Sequence, residues 1–263
     1  MRRAAAGCVL LALAAAGCGA RSHRPLDAPG RTLPSLSSRC GGPVSATVGW
    51  FRASDGVLLD GATLGDGKTG VVLAHESPAD LCGWVPFAQT LGRAGFRVLL
   101  FDHRHFGLSS SPTDSKAGHF TRDLEGAVAE LKREGAHKVF LMGASFGGVT
   151  SMVAGSRLGS KVAGVVSVSG EAGLPNRFGG PQQELDALAA VPRLRVPFLI
   201  LGSREDGYLP PSDARELVRR AASSHKRAVL FSGDYHGWDL FSRSPDRARA
   251  TAVVIHFLRR FGT

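Results

Sequence analysis

Lys138-Val139-Phe140-Leu141-Met142 followed by Gly143-Ala144-Ser145-Phe146-Gly147-Gly148 is the most informative stretch of the chain. The first five residues form a short apolar run, as expected of a strand buried on both faces. Residues 147–158 then take helical spacing. Between the two lies a complete G-x-S-x-G. A strand that turns into a helix this abruptly holds the serine backbone in strained angles. It needs small residues two positions to either side of the serine and lifts the hydroxyl clear of the sheet. Ser145 is therefore the candidate nucleophile.

Strands and helices alternate outward from this point. Apolar runs predict strands over 48–52, 57–64, 70–74, 97–101, 162–169, 197–201 and 228–231. Helical spacing predicts helices over 86–94, 123–134, 213–222 (with Ser212 as N-cap) and 246–260, with a short patch over 182–190. Short apolar strands alternating with helices imply right-handed crossovers and an α/β fold. Its central sheet is mostly parallel, with helices on both faces. Ligands of such sheets bind at the C-terminal strand ends.

The remaining composition excludes several classes. Of 263 residues, 43% are hydrophobic and 21% charged, which is globular rather than disordered. The net charge of +10 comes from scattered arginines, without a basic block or nucleic-acid motif, so no nucleic-acid partner is expected. Residues 1–17 read as a signal peptide: Arg2 and Arg3 precede the apolar stretch Ala4 to Ala16. Ala15-Ala16-Gly17-Cys18 resembles a bacterial lipobox, which would put a lipid on Cys18. Ordinary cleaved secretion and a retained anchor are the alternatives. Residues 18–45, rich in Pro, Ser, Gly and Arg, read as a tether, and 46–263 as the folded domain. The expected location is the extracytoplasmic side of a bacterial membrane, or outside the cell. Cys8 leaves with the leader, so Cys40 and Cys82 remain as an even pair in an oxidising compartment. A disulfide between them is expected, with two free thiols as the other reading.

A serine hydroxyl needs a base. Among nine histidines, His236 stands on a loop after the last strand and before the last helix. His23 lies in the tether, His256 inside a helix, and His137 at the wrong edge of the sheet. The acid that orients the base is sought on the loop Gly202-Ser203-Arg204-Glu205-Asp206-Gly207-Tyr208-Leu209-Pro210. Asp206 is favoured by its place before Leu209 and Pro210, and Glu205 is the alternative.

With these motifs in place, residues 46–262 resemble an α/β-hydrolase, in particular the compact serine-esterase and serine-aminopeptidase-like branch. Ser…Asp…His is the chain order of that fold's triad. Leu73-Ala74-His75-Glu76, with Trp84 further on, is similar to its oxyanion loop. Asp102-His103-Arg104-His105-Phe106-Gly107-Leu108-Ser109 is similar to its Asp-x-Arg-Gly-x-Gly-x-Ser loop. The resemblance implies catalysis by Ser145, His236 and Asp206, with an oxyanion hole made by backbone N–H groups of Phe146 and the Glu76–Ser77 stretch. It implies hydrolysis of carboxylic esters or thioesters of a small acyl substrate through an acyl-enzyme. A peptidase on small peptides, or a silent lipid-anchored binding protein, are the other readings. No cofactor or metal is required. His75, His103 and His105 are assigned to loop packing around the hole.

Two residues depart from the family pattern. Glu76 and His105 stand where glycines are usual, and each adds a side chain near the mouth. A carboxylate there opposes a developing oxyanion unless it points away or is paired. The alternative role for Glu76 is recognition of a cationic substrate group such as a free amine. The segment 170–196 is short and shows no long apolar lid helix, so a minimal lid and a soluble substrate are expected. Trp84, Tyr208, Leu209 and Trp238 are candidate pocket walls, together with Phe146, Leu174 and Phe178. Oligomeric state is not readable.

Overall fold

The computed structural model describes residues 32–174 and 185–262. The signal peptide, Cys18, Phe178 and most of the tether lie outside them. Among the described residues, eight strands form one sheet: β1 (Thr47–Arg52), β2 (Leu58–Leu64), β3 (Thr69–Ala74), β4 (Arg97–Phe101), β5 (Lys138–Ala144), β6 (Gly164–Val168), β7 (Phe198–Ser203) and β8 (Lys226–Phe231). Their spatial order is β1-β2-β4-β3-β5-β6-β7-β8. β1 and β2 form an antiparallel hairpin, and β2 joins β4 antiparallel. All later neighbours pair in parallel.

The helices are α1 (Leu36–Cys40), α2 (Val85–Arg93), α3 (Phe120–Arg133), α4 (Phe146–Leu158), α5 (Ala187–Ala190), α6 (Pro211–Arg220), α7 (Asp239–Ser242) and α8 (Arg247–Gly262). Residues of β3 to β7 alternate between two apolar cores, as the period of two requires. One core packs beneath α3, α4, α5 and α6; the other lies beneath α1, α2, α7 and α8. The expected α/β architecture with helices on both faces is therefore the observed one.

From β3 the chain steps outward to β4, and then returns to place β5 on the other side of β3. The loops that leave β3 and β5 thus diverge and open a crevice at the C-terminal edge of the sheet.

Two local readings need correction. The expected tether does not hold over residues 36–40, which form a packed helix. The Ser35 hydroxyl caps it by accepting from Ser38 N–H at 3.1 Å. Leu36 is buried in the second core, and Cys40 is bonded to Cys82 with Cα atoms 5.2 Å apart. A single apolar residue among serines and arginines carries no helical period, so composition alone reads as linker. Ser212 is not an N-cap either; α6 starts at Pro211, whose missing N–H costs nothing in the first turn.

Candidate active site

Ser145 stands between the last residue of β5 and the first of α4, with φ +47° and ψ −114°. That is a strained conformation for a residue with a side chain. The turn is held by Ser145 N–H donating to Val168 O at 2.8 Å and Val149 N–H donating to Ser145 O at 3.0 Å. Gly143 and Gly147 are steric requirements here. A Cβ on Gly143 would strike the Gly147 backbone, and one on Gly147 would strike the carbonyls of Ala74 and His75. Ser145 is largely buried, with 8% of its surface open to solvent. Phe146 opens α4, where the first-turn N–H groups lack intrahelical acceptors and carry the positive end of the helix dipole.

The loops after β7 and β8 meet one another. Arg204 N–H donates to Phe231 O at 2.9 Å, Glu205 N–H to Gly233 O at 3.0 Å and the Ser203 hydroxyl to Tyr235 O at 2.9 Å. These bonds bring Asp206 and His236 together: His236 Nδ1 lies 3.0 Å from both carboxylate oxygens. Asp206 is buried whereas Glu205 is exposed, so of the two acid candidates it is Asp206 that meets the histidine. Burial pushes the Asp206 carboxyl up, but hydrogen bonds from His236 and from Tyr208 N–H hold it below the ordinary value. Burial lowers the His236 pKa, and Asp206, Glu76 and Glu171 outweigh that and raise it. The next residue brings this loop to the elbow: a Cβ built on Gly237 would lie 3.5 Å from Ala144 Cβ.

The loop after β3 completes the crevice. His75 is wholly buried; its Nδ1–H donates to Glu76 O at 2.8 Å, and its Nε2 accepts His103 N–H at 3.0 Å. Burial and the neighbouring His103 push His75 down to about 4, so it is neutral at physiological pH. His105, with φ +70°, is exposed and bonds through Nε2 to Ala117 O at 3.0 Å. The Glu76 carboxylate turns to the base loop, where Oε2 accepts Trp238 N–H at 3.4 Å. The side chain thus leaves the backbone of its own loop and lies against the base loop.

The pocket expectations divide. Trp84 and Leu209 are 0% exposed and belong to the core, so neither forms a wall of an open pocket. The Trp84 indole N–H donates to Ala74 O at 2.8 Å, and the ring packs against Phe87, Trp238 and Phe241. Tyr208 is 53% exposed, and its ring centroid lies 4.6 Å from that of His236. Trp238 is half-buried beside Trp84, and Leu174 packs partly against the first core.

Sequence reasoning missed Arg39. Its guanidinium bridges Asp60 at the hairpin, Asp102 at 2.6 Å and Asp80 at 3.3 Å. Asp102 in turn accepts the N–H of Leu81 and of Leu108, each at 2.9 Å. The arm thereby reaches both loops that follow β3 and β4. The Asp102 motif pointed to one end of this cluster; nothing in the local sequence marked the other.

An eight-stranded sheet with this crossover, a serine elbow after β5 and an Asp–His pair after β7 and β8 defines the α/β-hydrolase fold, and the chain has that fold. A family described as the alpha/beta hydrolase fold matches residues 71–194. Among curated proteins, the chain is 21% identical to the uncharacterized protein YqkD of Bacillus subtilis (strain 168), over 63% of this chain and 64% of that protein. It is 33% identical to a 2-hydroxy-6-oxononadienedioate/2-hydroxy-6-oxononatrienedioate hydrolase of Paraburkholderia phymatum, over 43% of this chain and 40% of that one. It thus spans less than two thirds of the length of either relative. Among solved structures, a Pyrococcus furiosus esterase superposes with TM-score 0.69 at 18% identity, covering 83% of this chain and 92% of the other. The enol-lactonase of Burkholderia xenovorans LB400 gives TM-score 0.64 at 21% identity, over 80% and 99%.

Proposed function

We propose that the protein is a serine hydrolase that cleaves carboxylic esters or thioesters of a small acyl substrate. The observation that carries this reading is the strained Ser145 elbow beside a loop on which His236 is already paired with Asp206. In this reading Ser145 Oγ attacks the carbonyl carbon as His236 Nε2 takes its proton. Asp206 holds the imidazole by Nδ1 and stabilises its charged form. N–H groups of Phe146 and of the Glu76–Ser77 stretch stabilise the tetrahedral oxyanion. Collapse expels the alcohol or thiol, protonated by His236, and water activated by the same histidine releases the acid. The esterase and hydrolase names among the similar proteins favour this class.

The experiment is turnover of p-nitrophenyl esters from acetyl to dodecanoyl, with Ser145→Ala as control. The expected result is turnover and fluorophosphonate labelling that both vanish in Ser145→Ala, with chain-length preference sizing the pocket. Labelling without ester turnover shifts the assignment to small peptides; neither result leaves a binding protein. We place the enzyme at the cell envelope, anchored by lipid on Cys18. Palmitate incorporation during growth, lost in Cys18→Ala, is the expected outcome, and incorporation unchanged by that substitution overturns the assignment.

A further inference from the structure

The Glu76 side chain has a place in the site that the oxyanion loop does not require. Its backbone is already fixed, because Glu76 O accepts His75 Nδ1–H at 2.8 Å and Ala79 N–H at 3.2 Å. The carboxylate leaves that loop and reaches the base loop instead, accepting Trp238 N–H at 3.4 Å. Gly237, at φ +54°, lies directly beneath it. A Cβ built there would overlap Glu76 Oε2, so the carboxylate fills the space that a side chain at 237 would need.

We propose that Glu76 is a positioning residue: its carboxylate pins the base loop at Gly237 and Trp238 to the loop after β3 and so holds a negative charge next to the base. This rests on the serine-hydrolase reading for its bearing on catalysis, though not for the pairing itself.

The surrounding charges support it. Burial raises the Glu76 pKa to about 7, with Asp239 and Asp206 adding to the rise and His236 and Trp238 N–H opposing it. The groups that raise His236 are Asp206, Glu76 and Glu171. Glu76 and His236 therefore favour each other's charged form. When His236 takes the serine proton, the ionised Glu76 steadies the imidazolium in addition to Asp206. A carboxylate at the mouth then acts on the base rather than against the oxyanion.

Glu76→Gln keeps an acceptor for Trp238 N–H and removes the charge. The expected result is an acid limb of kcat/KM displaced downward by about 0.5–1 pH unit, the direction that loss of a neighbouring negative charge requires. The His236 imidazole pKa, followed by NMR in Ser145→Ala and in Ser145→Ala/Glu76→Gln, should fall with it. Gly237→Ala should lose activity, and Gly237→Ala/Glu76→Gly should recover part of it because the overlap is relieved. A limb and an imidazole pKa that both stay within about 0.2 unit overturn the proposal, whatever happens to kcat. The NMR titration reads the pairing without turnover. A wild-type protein that neither turns over esters nor reacts with fluorophosphonate would sink the hydrolase reading and leave this measurement decisive.

Discussion

At Asp206 the roles of two adjacent acids separate. Glu205 lies next to it and carries the same charge, but its carboxylate is exposed, while Asp206 is buried with both oxygens 3.0 Å from His236 Nδ1. An orienting acid works by fixing the tautomer of the base, so an amide in its place presents a donor where an acceptor is needed. Asp206→Asn should lower kcat by about 10³–10⁴-fold while the protein stays folded. Glu205→Gln should change kcat by less than about threefold. Ester kinetics with a thermal melt of each variant checks both; equal losses would move the acid to Glu205. The turn at Ser145 and the meeting of Asp206 with His236 were legible because strained turns and loop ends restrict what stands there. The direction of the Glu76 side chain was not legible. It depends on the absence of a Cβ at Gly237, some 160 positions away in sequence.

Among the elements, the strands were the most readable. Buried parallel strands are continuous apolar runs, and β3, β4, β5 and β7 fall within two residues of the expected positions. The short helices were not readable, because α1 and α7 span too few residues to show a period. Their places are set by tertiary partners: Cys82 for α1, and the Trp84–Phe87–Phe241 stack for α7. Trp84 illustrates the cost of reading an aromatic near a site as a pocket wall. It is instead a strut beneath the loop that follows β3, because its indole N–H holds Ala74 O where β3 ends. Trp84→Phe removes the indole donor from that buried carbonyl, a loss of about 1–3 kcal/mol. The expected outcome is a melting temperature lower by about 2–4 °C per kcal/mol, with kcat reduced and substrate chain-length preference unchanged. A changed preference would return Trp84 to the pocket.

In the molecule as a whole, the N-terminal arm supplies the cation that the body lacks. Asp60 within β2 and Asp102 just past β4 are buried on neighbouring strands, and Arg39, held by the adjacent Cys40–Cys82 disulfide, bridges them. Burial and Asp102 push Asp60 up to about 7 despite Arg39. The native state therefore holds a proton there more tightly than the unfolded chain, whose value is near 3.8. The stability linked to this group is complete below about 3.8 and declines as the pH rises toward 7. Removing the guanidinium leaves two buried carboxylates without a counter-charge, which carries the window upward and deepens the loss at its alkaline end. Arg39→Ala should therefore cost about 3–5 kcal/mol near pH 8 and clearly less near pH 5, where one carboxylate is protonated. The pair Cys40→Ser/Cys82→Ser closes no loop and should cost about 2–4 kcal/mol with little dependence on pH. Thermal melts of both variants at pH 5 and pH 8 separate the two effects. An Arg39→Ala penalty equal at the two pH values would mean that the arm is held by its disulfide and by Leu36 alone.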